Sequence, residues 1–465
     1  MLRTHCLSKP INLSRGLATQ VSNATFAKHT KLNNGISVYT NSQPTENNNY
    51  SNNSTVTLLV RNSGVTSENP YNNGVSHVWS HYYQNDPTLN KWANSNGAIL
   101  SSNINRDYQT FSLNGQIPLK ESLQFLNSNL LNLQTNKLES HNLSKVKQQV
   151  MDKISYQENK QQDKAVIEHL YSTAFQNTPL SLPLLGTLDT VSDLTKDDLV
   201  KFAKERYDNT DNLSILVSGT QVANQSHEAI VEAVDQVLSS VSTKGKTTDG
   251  SSLAKSSFIG SEVRLRDDTL PHAWISIAVE SEAVGSPDQL TSEVAAAIFG
   301  QYNAFEPRSR LQGIKVLDTL QEYGLCDSFK HFQLSHRDSG LWGMVTCTSN
   351  VSGIDDLIHF ILKQWNRLSI SITETELERG KAMLKLSLAE KYAGAANWAD
   401  FLVSYPQYKS LDEIFVEIDK VTVKDLKHWA NKRLWDQDIA IAGMGQIEDL
   451  LDYMRMRNDM SMMRW

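Results

Sequence analysis

The sequence predicts an α+β protein built from two tandem, homologous α/β sandwich domains. Three observations support this prediction: the length of 465 residues, an order of strands and helices that occurs twice, and a short polar stretch between the two copies. A chain of this length exceeds the size at which a single hydrophobic core stops growing. Two copies of one unit of roughly 200 residues are therefore the simplest organisation.

The composition is that of a globular protein without affinity for nucleic acid. Hydrophobic residues make up 39% of the chain, and the net charge is −7 at pH 7. Nucleic-acid binding needs a basic face. No apolar run reaches the roughly 18 to 20 residues needed to span a bilayer, so we expect any membrane attachment to depend on partners. The cysteines Cys6, Cys326 and Cys347 are scattered, which favours a reducing compartment.

The beginning of the chain has the composition of a targeting sequence. No acidic residue precedes Glu46, whereas Arg3, Lys9 and Arg15 lie among serines and threonines. This pattern is typical of a mitochondrial presequence. We predict that residues 1–17 form a presequence that is removed. The alternative is a basic tail that remains on the chain.

The first copy of the repeated unit is predicted at 25–241. Alternating apolar and polar residues predict strands at 31–40 and 54–61. A helix follows at 75–83. The remaining elements of this copy are predicted as a strand at 103–116, helices at 119–131, 143–158 and 192–207, and a strand at 213–219.

The second copy is predicted at 258–465, after a linker at 242–257. The linker contains almost only small and polar residues, which favour a flexible connection. The same order of elements then recurs. Strands are predicted at 264–266, 274–280, 329–335 and 341–348, and helices at 292–302, 354–368 and 373–392.

The clearest internal similarity lies late in each copy. The segment 197–206 corresponds to 423–433, with leucine, an aromatic residue, alanine and arginine in register. Each segment is followed by a short apolar strand that ends at glycine. This similarity supports a duplication of the whole unit.

The helix predicted at 75–83 carries a motif with metal-site spacing. His77 and His81 are four residues apart, so both imidazoles lie on one face of the helix and could reach one zinc ion. In the inverted zinc motif H-x-x-E-H, a glutamate before the second histidine acts as general base on the metal-bound water. Ser80 occupies that position. We call His77, Ser80 and His81 the remnant site, because its base is absent.

The duplication and this motif resemble the pitrilysin/insulinase metallopeptidase family, and residues 172–180 are similar to a segment of its mitochondrial members. The second half resembles the branch of the family formed by the core proteins of ubiquinol–cytochrome c reductase, respiratory complex III. The segments that carry this resemblance are 260–271, 302–307, 338–343 and 459–465. The similarity covers nearly the whole chain after the presequence.

The resemblance implies a subunit on the matrix side of the mitochondrial inner membrane, attached only through its partners. Those partners are core protein 2, cytochrome b, cytochrome c1, the Rieske protein and small subunits, in a dimeric complex. The subunit itself is expected to hold no cofactor.

The resemblance also locates the other site positions. Peptidases of the family need a distal glutamate ligand and a further glutamate on the same helix. Anchoring on 172–180 places these positions near Ile154 and Lys147, whereas the family's usual spacing from His81 ends near Glu158. We therefore expect no catalytic residue and no metal. Residual zinc binding, with Glu158 as a ligand, and a packing role for the histidines are the two alternatives for the remnant site.

The leading hypothesis is a non-catalytic structural and assembly subunit of complex III. The alternative is the β subunit of the mitochondrial processing peptidase, a zinc endopeptidase that removes presequences. A third reading is a chamber that binds presequences without cleaving them. Ser80 separates the first two hypotheses, because a working peptidase needs a carboxylate at that position.

Overall fold

The computed structural model describes residues 28–41, 54–131, 140–219, 225–239, 241, 254–306, 311–392 and 397–462. The predicted presequence at 1–17 lies outside these residues, as does most of the predicted linker, 242–253. Within the described ranges, no helix combines the length and the apolar character that crossing a membrane requires.

The strands are, in chain order, β1 (Lys28–Lys31), β2 (Ser37–Asn41), β3 (Ser54–Arg61), β4 (Ala98–Ile104), β5 (Tyr108–Gly115), β6 (Leu213–Gly219), β7 (Ser261–Arg266), β8 (Ala273–Ser281), β9 (Gln301–Asn303), β10 (Ser328–Ser335), β11 (Gly340–Thr348) and β12 (Ile439–Gly445).

The α-helices of the first half are α1 (Val75–Asn85), α2 (Pro87–Ser95), α3 (Leu119–Leu126), α4 (Ser140–Lys160), α5 (Gln162–Ala174), α6 (Leu188–Asp193), α7 (Lys196–Tyr207) and α8 (His227–Leu238). Those of the second half are α9 (Gln289–Phe299), α10 (Lys315–Glu322), α11 (Ile354–Ile370), α12 (Glu374–Lys391), α13 (Trp398–Ser404), α14 (Leu411–Lys420), α15 (Val423–Arg433) and α16 (Tyr453–Met462).

Two six-stranded sheets share a five-stranded core, β2-β6-β3-β5-β4 in the first and β7-β12-β8-β11-β10 in the second. Their sixth strands differ, because β1 lies at one edge of the first sheet and β9 at the opposite edge of the second. The complete strand orders are β1-β2-β6-β3-β5-β4 and β7-β12-β8-β11-β10-β9. Each sheet has one parallel pair, β2 with β6 and β7 with β12, and its other pairs are antiparallel. Both final strands end at a glycine with positive φ, Gly219 at 106° and Gly445 at 91°. The predicted fold class, a duplicated α+β unit, is confirmed.

The helices before these final strands begin with the same cap. At the start of α7, the backbone N–H of Thr195 donates to the Asp198 carboxylate at 2.9 Å, and the N–H of Asp198 donates back to the Thr195 hydroxyl. Thr422 and Asp425 repeat this arrangement at the start of α15. Such a capping box satisfies two backbone donors that a helix start otherwise leaves unpaired.

Several predicted elements differ from the structure. The helix predicted at 192–207 begins inside α6 and crosses the break before α7. The strand predicted at 31–40 is two strands, because the chain turns at Gly35, whose φ is 96°. The helix predicted at 292–302 begins earlier and ends at Phe299, because Gly300 has a positive φ that stops it. The strand predicted at 103–116 crosses the turn between β4 and β5.

The two halves interlock through one helix that the sequence did not predict. Apolar residues of α5, including Val166 and Leu170, pack against Ala278 and Ala440 of the second sheet. In return, Tyr108 of β5 donates a hydrogen bond to the Asp400 carboxylate in the second half, at 2.5 Å. Each sheet therefore contacts the other half, and β5 links this contact to the remnant site.

A buried histidine completes the contact between the halves. His336 lies with Nδ1 3.0 Å from the Asp107 carboxylate and with Nε2 2.7 Å from the Tyr171 hydroxyl. Arg106, next to Asp107, lies over the Tyr171 ring and forms an ion pair with Glu168 at 2.7 Å. These buried polar groups are all partnered, as burial away from water requires.

Candidate functional site

Helix α1 is held at its start by a buried carboxylate. Glu68 accepts hydrogen bonds from the backbone N–H groups of Gly74 and Ser76, both at 2.8 Å, and from the side chain of Asn73 at 2.9 Å. The Ser76 hydroxyl is also bonded to it. Burial raises the pKa of Glu68 to about 6. The carboxylate supplies acceptors to the free N–H groups of the helix start and so fixes the helix position.

The two histidines of the remnant site lie on one face of α1, as the spacing predicts. Their ring centroids are 5.0 Å apart. His77 is buried, and burial lowers its pKa to about 3, with smaller effects from Lys153 and His81. Burial, with the nearby Lys153, also lowers the pKa of the half-buried His81. The imidazole of His77 is therefore neutral at pH 7.

Ser80 packs against the sheet. Its hydroxyl oxygen accepts a hydrogen bond from Nε2 of Gln109 at 3.3 Å, and the same nitrogen donates to the Ser76 carbonyl at 2.8 Å. The Gln109 amide oxygen accepts from the Tyr207 hydroxyl at 2.9 Å. Ser80 is thus part of a buried packing network, and it offers no carboxylate that could take a proton from water.

The facing helix α4 carries the distal positions predicted from the resemblance. Ile154 is buried in the apolar core of the first half. Lys147 donates to the carbonyls of Ser192 and Leu194, at 2.5 and 2.9 Å, and so caps the end of α6. Neither residue offers a metal ligand.

The side chain that the structure places beside the histidines is Lys153. Its ammonium nitrogen lies 3.5 Å from Nε2 of His77. Partial burial and the neighbouring Lys164 lower the pKa of Lys153. The sequence reasoning missed this residue, although it directly precedes the position assigned to Ile154.

Glu158, the remaining candidate ligand, is exposed on α4. Burial lowers the pKa of His169 of α5, and the negative charge of Glu158 opposes this shift. No group of three or more histidine, cysteine, aspartate or glutamate side chains that could hold a metal ion occurs in the described part of the chain.

The remnant site does not fit a catalytic zinc ion. Such an ion takes three protein ligands and a water molecule. Here a positively charged ammonium lies next to a ring nitrogen that would have to bind the metal. The amide nitrogen of Asn85 lies 3.0 Å from Nδ1 of the second histidine, His81. Two imidazoles without a third ligand or a base do not form the chemistry of a zinc peptidase.

Comparisons with known proteins agree with this architecture. Residues 44–188 match the model described as insulinase (peptidase family M16), and residues 193–384 match the model described as the peptidase M16 inactive domain. The chain is 49% identical to "Cytochrome b-c1 complex subunit 1, mitochondrial" of Saccharomyces cerevisiae, over 100% of both chains. It is 34% identical to "Mitochondrial-processing peptidase subunit beta" of Neurospora crassa, over 96% of this chain and 94% of that protein.

A solved structure shows the same fold. A chain in "Complex III2 from Candida albicans, Inz-5 bound" superimposes with a TM-score of 0.82 at 32% sequence identity, covering 94% of this chain and 100% of that one. The duplicated sheets, the histidine spacing on α1 and the full-length matches lead to one conclusion: this chain belongs to the insulinase family of peptidases, peptidase family M16.

Proposed function

We propose that this chain is a structural and assembly subunit of mitochondrial complex III, the assembly that transfers electrons from ubiquinol to cytochrome c, and that it has no peptidase activity. The observation that carries the second part is the remnant site itself. Ser80 occupies the position of the base, and the Lys153 ammonium lies beside His77. The full-length similarity to a cytochrome b-c1 subunit supports the first part.

The proposed place of the subunit is the matrix side of the inner membrane, held there by its partners. It pairs with core protein 2 and assembles with cytochrome b, cytochrome c1, the Rieske protein and small subunits in a dimeric complex. Two peptidase-like domains at 25–241 and 258–465, joined by the linker at 242–257, form the proposed domain organisation. The presequence at 1–17 directs import.

Co-purification tests this proposal. After extraction with a mild detergent, a tagged chain should be isolated with the haem-containing cytochromes b and c1 and with core protein 2, identified by mass spectrometry. Deletion of the gene should reduce assembled complex III and respiratory growth without accumulation of uncleaved precursors. Isolation as a soluble heterodimer without haem would contradict the proposal.

The second candidate function is the β subunit of the processing peptidase. The 34% identity to the Neurospora crassa protein favours it, whereas Ser80 and Lys153 oppose it. Metal analysis and a cleavage assay on the purified chain with its partner separate the two functions. A stoichiometric zinc ion, removed by a chelator together with cleavage of a presequence peptide, would establish this second function.

A further inference from the structure

The second half contains a small cavity at the start of α12, and the charged part of its lining is mainly cationic. The cavity measures about 10 Å³, which is the room that one water-sized sphere needs. The charged side chains that line it are Lys315, Arg367, Glu376 and Arg379. Apolar side chains from the end of α9 and from the segment around Ile314 complete the wall. Three positive charges and one negative charge therefore line the cavity.

The single carboxylate of this lining, Glu376, is already bonded to two of the cations. It accepts hydrogen bonds from Arg367 at 3.1 and 3.2 Å and lies 3.3 Å from the Lys315 ammonium. The backbone N–H and the hydroxyl of Thr373 also donate to it. One negative charge that is shared between Arg367 and Lys315 does not also balance the charge of Arg379.

Arg379 lacks both a counter-ion and an acceptor for one of its N–H groups. Its terminal nitrogens donate to the backbone carbonyls of Gln312, at 2.8 Å, and Ile298, and it forms no ion pair within the described ranges. Its Nε–H is buried and has no hydrogen-bond partner in the described part of the chain. Burial lowers the pKa of this guanidinium, because it removes part of the hydration of the charge. A buried donor without an acceptor, on a cation without a counter-ion, destabilises the fold.

The neighbouring acidic side chains do not supply the missing charge. Glu378 of α12 forms an ion pair with Lys381, at 2.8 Å. Glu374 at the start of α12 and Asp318 of α10 are exposed, and neither lines the cavity. The described side chains around the cavity therefore leave an excess of positive charge.

We propose that this cavity binds one chloride ion, held by Arg379 together with Arg367 and Lys315. A neutral water molecule accepts the hydrogen bond of the Nε–H group but leaves the charges unbalanced, whereas an anion meets both needs. The volume selects a monoatomic ion, because sulfate, phosphate and carboxylates need room for several heavy atoms. The bound ion fixes the start of α12 against the end of α9, and this role depends neither on the remnant site nor on the proposed function.

Diffraction with bromide tests the position of the ion, and a salt titration tests its effect. In crystals of the full chain soaked in bromide, which replaces chloride, an anomalous density peak should lie in the cavity beside Arg379. In solution, the midpoint of thermal unfolding should rise with sodium chloride relative to sodium gluconate at equal ionic strength, because a ligand of the folded state stabilises it. Arg379→Gln should weaken the chloride affinity obtained from this rise about tenfold or more, because a hydrogen bond to a charged group contributes about 1.5 kcal/mol or more.

The matched control is Arg266→Gln, an exposed arginine of β7 with its own acidic partners, which should respond to chloride like the wild type. If Arg379→Gln does not fold, Lys315→Gln, which removes the exposed cation of the cavity, should still weaken chloride binding. Absence of the bromide peak, or an equal response to chloride in the wild type and the cavity variants, would overturn the proposal and make the cavity a water site. An equal effect of phosphate would overturn the choice of a monoatomic ion.

Discussion

Helices α1 and α9 lie at equivalent positions on the sheets of the two halves. In the first half, Gln109 of β5 donates its side-chain N–H to the Ser76 carbonyl of α1, at 2.8 Å. In the second half, Trp342 of β11 donates its indole N–H to the Ser292 carbonyl of α9, at 3.1 Å. The two serines are therefore equivalent positions, and the helices can be compared residue by residue.

The two helices carry different residues at the equivalent positions. The residue after Ser292 is Glu293, so a partly buried glutamate occupies the position that His77 has in the first half. The positions of Ser80 and His81 are taken by alanines. Helix α12 packs closely on α9. The contact leaves no room for a side chain at Gly380, where a Cβ atom would lie only 2.5 Å from the Ile298 side chain. The second half is closed by close packing, whereas the first retains a polar site.

Truncation of the equivalent side chains Trp342 and Gln109 should lower the free energy of unfolding by different amounts. Trp342 is fully buried, and its ring lies 4.8 Å from that of Trp365 and 5.4 Å from that of Trp429. Trp342→Ala should lower the free energy of unfolding by about 3–5 kcal/mol, because it leaves a large cavity. Gln109→Ala should cost about 1–3 kcal/mol, mainly by leaving buried polar groups unpaired.

Urea unfolding of the full chain measures both values. The control is Tyr71→Ala, which removes a ring that is 92% exposed and should change the free energy by at most about 0.5 kcal/mol. Equal losses for Trp342→Ala and Gln109→Ala would show that the two sites are packed to the same extent, contrary to the comparison.

The duplication could be predicted from the sequence because strand patterns and helix caps depend only on nearby residues. The predicted alternation holds only in part of β3, because Leu58, Leu59 and Val60 are consecutive and the strand is buried on both faces. The helices that follow Thr195 and Thr422 carry their caps within four residues. The pairing of His77 with His81 is also local, since it depends only on helical geometry.

The contacts between elements that are distant in the chain could not be predicted from the sequence. Nothing in the sequence of α5 shows that it covers the sheet of the other half. The position beside the histidines was assigned to Ile154, one residue away from Lys153. A shift of one residue rotates a helical side chain by about 100°, which is enough to exchange a core position for a site position.

The equivalent residues His77 and Glu293 should give opposite dependences of stability on pH. His77 has a folded pKa of about 3, below its ordinary value of 6.5. The folded protein therefore binds fewer protons, and this contribution to stability is present above pH 6.5 and is lost as the pH falls. Burial raises the pKa of Glu293 from 4.5 to about 7. Its contribution is present below pH 4.5 and is lost as the pH rises through 7.

Unfolding free energies between pH 4 and pH 8 test this difference. His77→Gln should flatten the loss of stability below pH 6.5, which reaches at most about 1.4 kcal/mol per pH unit for one group. Glu293→Gln should flatten the loss between pH 4.5 and 7, by on the order of 2 kcal/mol in total. Variant curves that run parallel to the wild-type curve would contradict the assignment of these groups.

The smallest change in stability is expected for Lys153→Glu, yet this variant tests the difference between the halves most directly. Lys153 is an exposed residue, so its substitution should change the free energy of unfolding by less than about 1 kcal/mol. The new carboxylate would replace the ammonium beside His77 and add a third ligand to the histidine pair. Titration with Co²⁺, followed by its visible absorption, should then show one bound ion per chain.

Lys153→Gln separates the two effects of that substitution, because it removes the charge without adding a ligand. Co²⁺ binding by Lys153→Glu alone would show that the first half lacks one ligand and otherwise retains the geometry of a metal site. Neither variant should cleave peptides, because Ser80 supplies no base. Failure of Lys153→Glu to bind Co²⁺ would mean that the histidines of α1, like the alanines of α9, are held only by packing.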